Sequence, residues 1–345
     1  MRRLAFIVAL LVVWGAFGFG INRFLDSRRS NVAQARAVVA PPREKSAFSL
    51  PGTIWVSQAG HLYRLHGGQF TDMSLPSATG AWIQPSVAAD GRLLVVARSD
   101  AYSDIYLVDG ATGTLVKQLT NNATRSGHVE LNAWSYWPHP TVDGAGVMFD
   151  YDGPKVGTFE VHLAVWSGPI GGTLESTRWT TPATYTGGDV SPVPLPGGGV
   201  VYASYALDDA SQQIVSRIAT VANPGASPVY LTAAADDCNA PAVSPDGSQL
   251  AVICTSDTQT ARLEVIPLVS GVPGQARVLV ANCLCASPQW SPDGVSLLYL
   301  APADVSGHFQ LWWLASVKAT ATVAPKLLTT NLDLDATSAP AWAPS

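Results

Sequence analysis

A short phrase built on proline, aspartate and glycine returns six times along this chain, and the spacing between its copies dictates the architecture. The clearest copies are Ser287-Pro288-Gln289-Trp290-Ser291-Pro292-Asp293-Gly294 and Ala240-Pro241-Ala242-Val243-Ser244-Pro245-Asp246-Gly247. Weaker ones begin at Pro85, Pro140 and Pro192, and the last, from Pro340, reaches the end of the chain. Successive anchor prolines lie 55, 52, 49, 47 and 52 residues apart. A period near fifty marks one supersecondary unit used repeatedly.

Each unit reads as four short strands. After the anchor at 288, a strand over 288–291 meets the turn Pro292-Asp293-Gly294. Proline presets φ there, aspartate offers a side-chain acceptor, and glycine accepts positive φ, so the turn predicts a hairpin. Strands follow over 295–300, 309–314 and 326–329. The unit at Pro85 repeats the plan, with strands over 92–97, 104–109 and 115–120. Composition is strand-like throughout, and no amphipathic helix is predicted after residue 50. Four-stranded units at this spacing predict propeller blades. A blade buries both faces against its neighbours, which suits the unbroken apolar run Leu93-Leu94-Val95-Val96.

The two ends complete one another. Pro340-Ala341-Trp342 offers a first strand with nothing after it, while residues 52–57, 61–65 and 69–73 offer three strands with no first strand before them. Joined, they make a sixth blade and leave no open sheet edge between first and last repeat. The predicted fold is all-β: a six-bladed β-propeller over 51–345, closed by N- and C-terminal strands and preceded by one N-terminal hydrophobic helix.

The Pro-x-Trp-Ser-Pro-Asp-Gly phrase, the apolar strand after it, and the Ile105-Tyr106-Leu107-Val108-Asp109 segment leading to Leu119-Thr120 resemble the TolB-type six-bladed propeller repeat over about residues 52–345. The resemblance implies the fold. It implies function weakly, because propellers host scaffolds, binding modules and enzymes alike. TolB-type proteins act as periplasmic interaction partners in envelope complexes. This chain reads as lacking the N-terminal α/β domain of TolB, so TolB's particular partners are not carried over.

Charged residues make up only 13 % of the chain, and the net charge of −5 supplies no basic footprint, so nucleic acid is not an expected partner. Residues 4–21 follow Met1-Arg2-Arg3 and carry no charge. Eighteen such residues suffice to span a bilayer, and the preferred reading is a single membrane anchor over 1–21. The rival is a secretory signal cleaved near Ala16-Phe17-Gly18. Arginines flank both sides, at Arg2 and Arg3 and at Arg23, Arg28 and Arg29, and leave orientation open by charge alone. The resemblance and the cysteines place the propeller outside the cytoplasm, tethered at the membrane or secreted after cleavage. Residues 22–50 read as a linker.

The four cysteines, Cys238, Cys254, Cys283 and Cys285, fall in two successive repeats. Cys238 and Cys254 flank one hairpin turn nearly opposite each other, which suits a disulfide, while Cys283 and Cys285 at the entry of the next repeat make a cross-blade bond an equal option. The spacing Cys-x-Cys suits zinc poorly, and no metal or cofactor is expected.

Residues just ahead of each inner strand are expected to face the central channel. Three places before the anchor prolines stand Trp82, Trp137, Asp189, Cys238, Cys285 and Thr337. In the family this place is often acidic, and only Asp189 keeps it here. Trp134, Tyr136, Trp137 and His139 form the densest aromatic segment, and with Trp82 they are candidates for a channel mouth that docks a peptide or glycan, with packing between blades as the plainer role. Asp236, Asp237, Asp333 and Asp335 lie further upstream as a candidate acidic rim, with turn capping as the plainer role. The six histidines show no metal-ligand spacing, and no nucleophile elbow, phosphate loop or dinucleotide fingerprint occurs. Asn122-Ala123-Thr124 matches a glycosylation sequon.

The expected function is non-catalytic: an extracytoplasmic, membrane-tethered propeller binding a protein, peptide or envelope polymer, alone or within a larger membrane complex. The alternative is a channel-mouth enzyme, a hydrolase, lyase or sugar oxidoreductase, using Asp189 with Asp333 and Asp335.

Overall fold

The computed structural model describes residues 49–344, apart from 74, 77–79, 89, 125–127, 156–161, 172–175, 256–259, 305–306 and 319–323. The segment 4–21 and most of the linker lie outside the described residues. Among the described residues no helix is long and apolar enough to cross a membrane.

The described chain is a six-bladed propeller of antiparallel sheets. The first sheet holds β1 (Thr53–Gln58), β2 (His61–His66) and β3 (Gln69–Asp72). The second holds β4 (Ala81–Val87), β5 (Leu93–Arg98), β6 (Ser103–Val108) and β7 (Leu115–Gln118). The third holds β8 (Ser135–Pro140), β9 (Gly146–Tyr151), β10 (Ala164–Pro169) and β11 (Thr177–Arg178). The fourth holds β12 (Asp189–Pro194), β13 (Val200–Asp208), β14 (Gln213–Val221) and β15 (Val229–Tyr230). The fifth holds β16 (Cys238–Val243), β17 (Gln249–Thr255), β18 (Ala261–Val269), β19 (Val272–Pro273) and β20 (Arg277–Cys283), with both β19 and β20 on β18. The sixth holds β21 (Ala286–Trp290), β22 (Leu297–Pro302), β23 (Phe309–Leu314) and β24 (Lys326–Leu327). The last strand, β25 (Ala341–Ala343), lies in the first sheet, where Thr53, Ile54 and Trp55 pair with Ala343, Trp342 and Ala341. Helix among the described residues is limited to two single turns at Val129–Leu131 and Ala234–Asp236.

The core is divided into wedges between blades. Side chains alternate across a strand, so each inner strand feeds two wedges. On β5, Leu93, Val95 and Ala97 pack toward the β1 blade, while Leu94 and Val96 pack toward the β8 blade. On β22, Leu297, Tyr299 and Ala301 face the β16 blade, and Leu298 and Leu300 face the β1 blade. A strand buried on both faces needs no polar alternation, which accounts for the continuous apolar runs.

The Ser-Pro-Asp-Gly phrase is a self-bonded turn. Asp246 Oδ1 accepts from the Ser244 hydroxyl at 2.6 Å and from the Ser248 N–H at 3.1 Å. Gly247, with φ +71, donates its N–H to the Ser244 carbonyl at 2.8 Å. Asp293 and Gly294 build the same turn between β21 and β22. In the third sheet the anchor is Pro138 rather than Pro140. The ladder break between Tyr136 and His139 matches the breaks between Ile83 and Ser86 and between Val190 and Val193. Trp-Pro-His-Pro offers two prolines, and only the register distinguishes them.

Candidate functional site

Five inner strands carry the same backbone device. Gln84, Trp137, Ser191, Ala240 and Ser287 each precede the anchor proline and have φ between +44 and +58. Proline keeps the residue before it out of the right-handed helical region. The ladder slips at each place, and the residue resolves the slip by turning left-handed, at about 1–2 kcal/mol for a side chain other than glycine.

Such a bulge withdraws an N–H from the ladder, and neighbouring repeats satisfy three of these donors. The Gln84 N–H donates to the Ser338 hydroxyl at 2.7 Å, and the Trp137 N–H donates to Gln84 Oε1 at 2.9 Å. The Ser191 N–H donates to Asp150 Oδ2 at 2.9 Å. Ser338 also bonds Ser57 Oγ at 3.1 Å, and the Ser86 hydroxyl donates to the Pro138 carbonyl at 2.5 Å.

Four of the bulge residues, Trp137, Ser191, Ala240 and Ser287, line a small cavity of about 140 Å³ together with His139, Gln289 and apolar neighbours such as Val193 and Val243. Burial pushes the His139 imidazole down to about 4, so it is neutral at physiological pH and presents one donor and one acceptor. Away from the cavity, Tyr136 tilts against Trp137 with centroids 5.5 Å apart, and Trp134 stacks on Tyr136 at 5.9 Å and 12°. The three rings are half-buried against the wedge between the β12 and β16 blades. The three rings contact one another in series, and of the three Trp137 lines the cavity.

Trp82 and Asp189 lie elsewhere. Trp82 is buried in the wedge between the β1 and β4 blades, its indole N–H donating to the Pro76 carbonyl at 3.1 Å and its ring edge-on to Tyr106. The period-2 alternation of β4 turns it toward a neighbouring blade rather than the channel. Asp189 is buried; burial raises its carboxyl above the ordinary range, against hydrogen bonds from Ser204 and Thr180 and the Arg178 charge. The upstream acids are engaged in loops. Asp236 pairs with Arg262 at 3.2 Å, Asp237 accepts from the Ser216 N–H at 2.7 Å, Asp333 meets His308 at 3.2 Å, and Asp335 accepts from the Thr337 N–H at 2.9 Å. No group of three metal-ligating side chains converges among the described residues. The sequon asparagine, Asn122, is buried, and its amide donates to the Ser103 carbonyl at 2.6 Å and to Ser135 Oγ at 2.8 Å, so it offers no accessible nitrogen for a glycan.

The cysteines form two bonds. Cys238 and Cys254 face each other across the β16–β17 ladder with Cα atoms 4.0 Å apart. Cys283 bonds Cys285, two residues on, rather than reaching across blades.

Asp150 is the residue that sequence reasoning missed. It occupies a position on β9 where β5, β13, β17 and β22 carry Val96, Ala203, Ile253 and Leu300. That lone acid among apolar equivalents was the available signal. It is fully buried, and Oδ1 has no hydrogen-bond partner among the described residues. Burial drives its carboxyl well above the usual range; the Ser191 N–H opposes this and the Asp189 charge adds to it. A raised native pKa makes stability fall as pH climbs from the ordinary value, 3.8, through the native one. Asp150→Asn keeps an acceptor for Ser191 and removes the titration. We expect it to melt with the native protein near about pH 4 and above it near about pH 8. Melting curves that stay parallel across that range would refute the assignment.

No family model matches the sequence, and no curated protein does. Solved structures share the fold. TolB from Acinetobacter baumannii is 18 % identical with a TM-score of 0.64, covering 85 % of this chain and 67 % of that one. A second structure assigned to TolB, from Agrobacterium tumefaciens, is 16 % identical with a TM-score of 0.56, covering 86 % and 100 %. Kuenenia stuttgartiensis hydrazine synthase is 12 % identical with a TM-score of 0.50, covering 82 % and 81 %. The chain therefore has the TolB-like propeller fold, a fold that also serves in an enzyme.

Proposed function

We propose that this chain is a binding propeller acting outside the cytoplasm, which seats one side chain of a protein or peptide partner in the channel cavity and lays the flanking partner residues on Trp134, Tyr136 and Trp137. The size of the cavity carries this reading. About 140 Å³ accommodates a single side chain, whereas small-molecule sites usually need about 300–1,000 Å³. Half-buried tryptophan and tyrosine supply contact area at low entropic cost. The acids named for an enzyme do not favour the rival reading, since Asp189 is buried in its blade while Asp333 and Asp335 serve their own loops. Turnover of lactones or glycans by the native chain would reverse that preference.

Trp137→Ala is expected to weaken partner binding by roughly 30-fold or more, the usual effect of removing a central aromatic anchor. Calorimetry on partners captured from native membranes measures this. Unchanged affinity in a variant that melts like the native protein would remove the channel as the docking site.

Two further readings belong here. Residues 4–21 tether the propeller to the membrane, with release by cleavage near Ala16 as the alternative; fractionation of native cells separates the two. The pairing of β25 with β1 closes the ring, supported by its three-residue register.

A further inference from the structure

The two disulfides occupy opposite environments. Cys238 and Cys254 are 1 % and 0 % exposed, sit in the wedge between the β12 and β16 blades, and join residues 16 apart. Cys283 and Cys285 are two apart and remain neighbours in any unfolded chain, so their bond restricts that state very little. Loop closure alone gives little reason for it. Its surroundings point to access. Cys283 is half-buried at the end of the outer strand β20, between exposed Asn282 and Leu284, the latter 64 % exposed, whereas Cys285 is buried. Beside the bond lies a groove of about 460 Å³ whose walls include Leu284, Tyr299, Pro302, Trp312 and Pro325. Asn282 is left-handed, with φ +53, which turns the chain just ahead of the bond.

We propose that Cys283–Cys285 is a thiol–disulfide exchange site for a polypeptide that bears two cysteines flanked by apolar residues. A substrate thiolate attacks the sulfur of half-buried Cys283 rather than that of buried Cys285. The S–S bond breaks, its electron pair passes to Cys285 Sγ, and that sulfur takes up a proton. The second substrate thiolate then attacks the substrate sulfur of the mixed disulfide and expels Cys283 as thiolate, which takes up the second proton released by the substrate thiols. The substrate dithiol is oxidised to a disulfide, the protein disulfide is reduced to a dithiol, and two electrons and two protons are transferred in all. The groove receives an apolar side chain beside the attacking cysteine. This site is separate from the channel cavity and stands whether or not a partner docks there.

The test uses the full-length oxidised protein. Reduced glutathione is added under native conditions, free thiols are alkylated at intervals, and labelled cysteines are mapped by mass. Cys283 and Cys285 are expected to label at least about 100-fold faster than Cys238 and Cys254. Equal resistance of the two pairs would overturn the proposal. Two synthetic Cys-x-x-Cys peptides, one with leucine and phenylalanine flanks and one with serine flanks, are then offered as dithiols. The apolar peptide is expected to be oxidised at least about tenfold faster, with the difference lost in Leu284→Ser. Equal rates for both peptides, or no oxidation by native protein, would also overturn it. Cys283→Ala/Cys285→Ala serves as the folding control and is expected to melt with the native protein; a large drop would assign the bond a structural role instead.

Discussion

Deleting residues 341–345 is expected to cost more stability than any single core substitution in this chain. The segment is short, but Ala341, Trp342 and Ala343 are all buried and pair with Thr53, Ile54 and Trp55. Trp342 packs with Ile54, Leu65 and Leu298, and its indole N–H donates to the Pro51 carbonyl at 2.9 Å. Trp342→Ala alone should cost about 3–5 kcal/mol, the usual penalty for emptying a buried aromatic site. Native domains hold only about 5–15 kcal/mol in total. The truncation removes the same ring and also exposes the inner edge of β1, so it should exceed the point substitution and promote association through that edge. Urea unfolding compares the native chain, Trp342→Ala and the truncation. A truncated chain with a native midpoint would mean that β25 does not hold the ring together.

Replacing both Cys238 and Cys254 with alanine should cost about 3 kcal/mol. Their bond links two strands of one blade inside a wedge that also holds Val201, Ile218 and Leu250. Alanine is the cleaner replacement, since serine would bury a hydroxyl without an assured acceptor. The same loss should appear when the native protein is unfolded in strong reductant. A midpoint unmoved by the substitution would show that the β16–β17 ladder needs no covalent support.

These effects rest on features with unequal legibility in the sequence. The Ser-Pro-Asp-Gly turns were readable because their bonds are local: Ser244, Asp246 and Gly247 lie within four residues. Strand content was readable because both faces of β5 and β22 are buried and their apolar runs are unbroken. The site was far less readable. Choosing Pro138 over Pro140 depends on where β8 slips against β9, a relation between segments. Trp137 reaches the cavity because it directly precedes that proline and turns left-handed, not because it stands at the head of the strand. Trp82 occupies a similar place in sequence yet is core, since strand alternation turns it into a wedge. The partner of Cys283 was unreadable for the same reason: spacing constrains which bonds are possible, and only the fold selects among them.

The side-chain links at the inner bulges bear on how far the repeats are exchangeable. Ser338 serves Gln84, Gln84 serves Trp137, and Asp150 serves Ser191, so each link has its donor in one repeat and its acceptor in another. A blade transplanted to a different position would bring an acceptor with nothing to receive and leave a buried N–H unmet at its old place. The order of the repeats is therefore written into the hub of the ring as well as into its loops. Grafting or duplicating blades here requires redesigning both flanking neighbours along with the piece that moves.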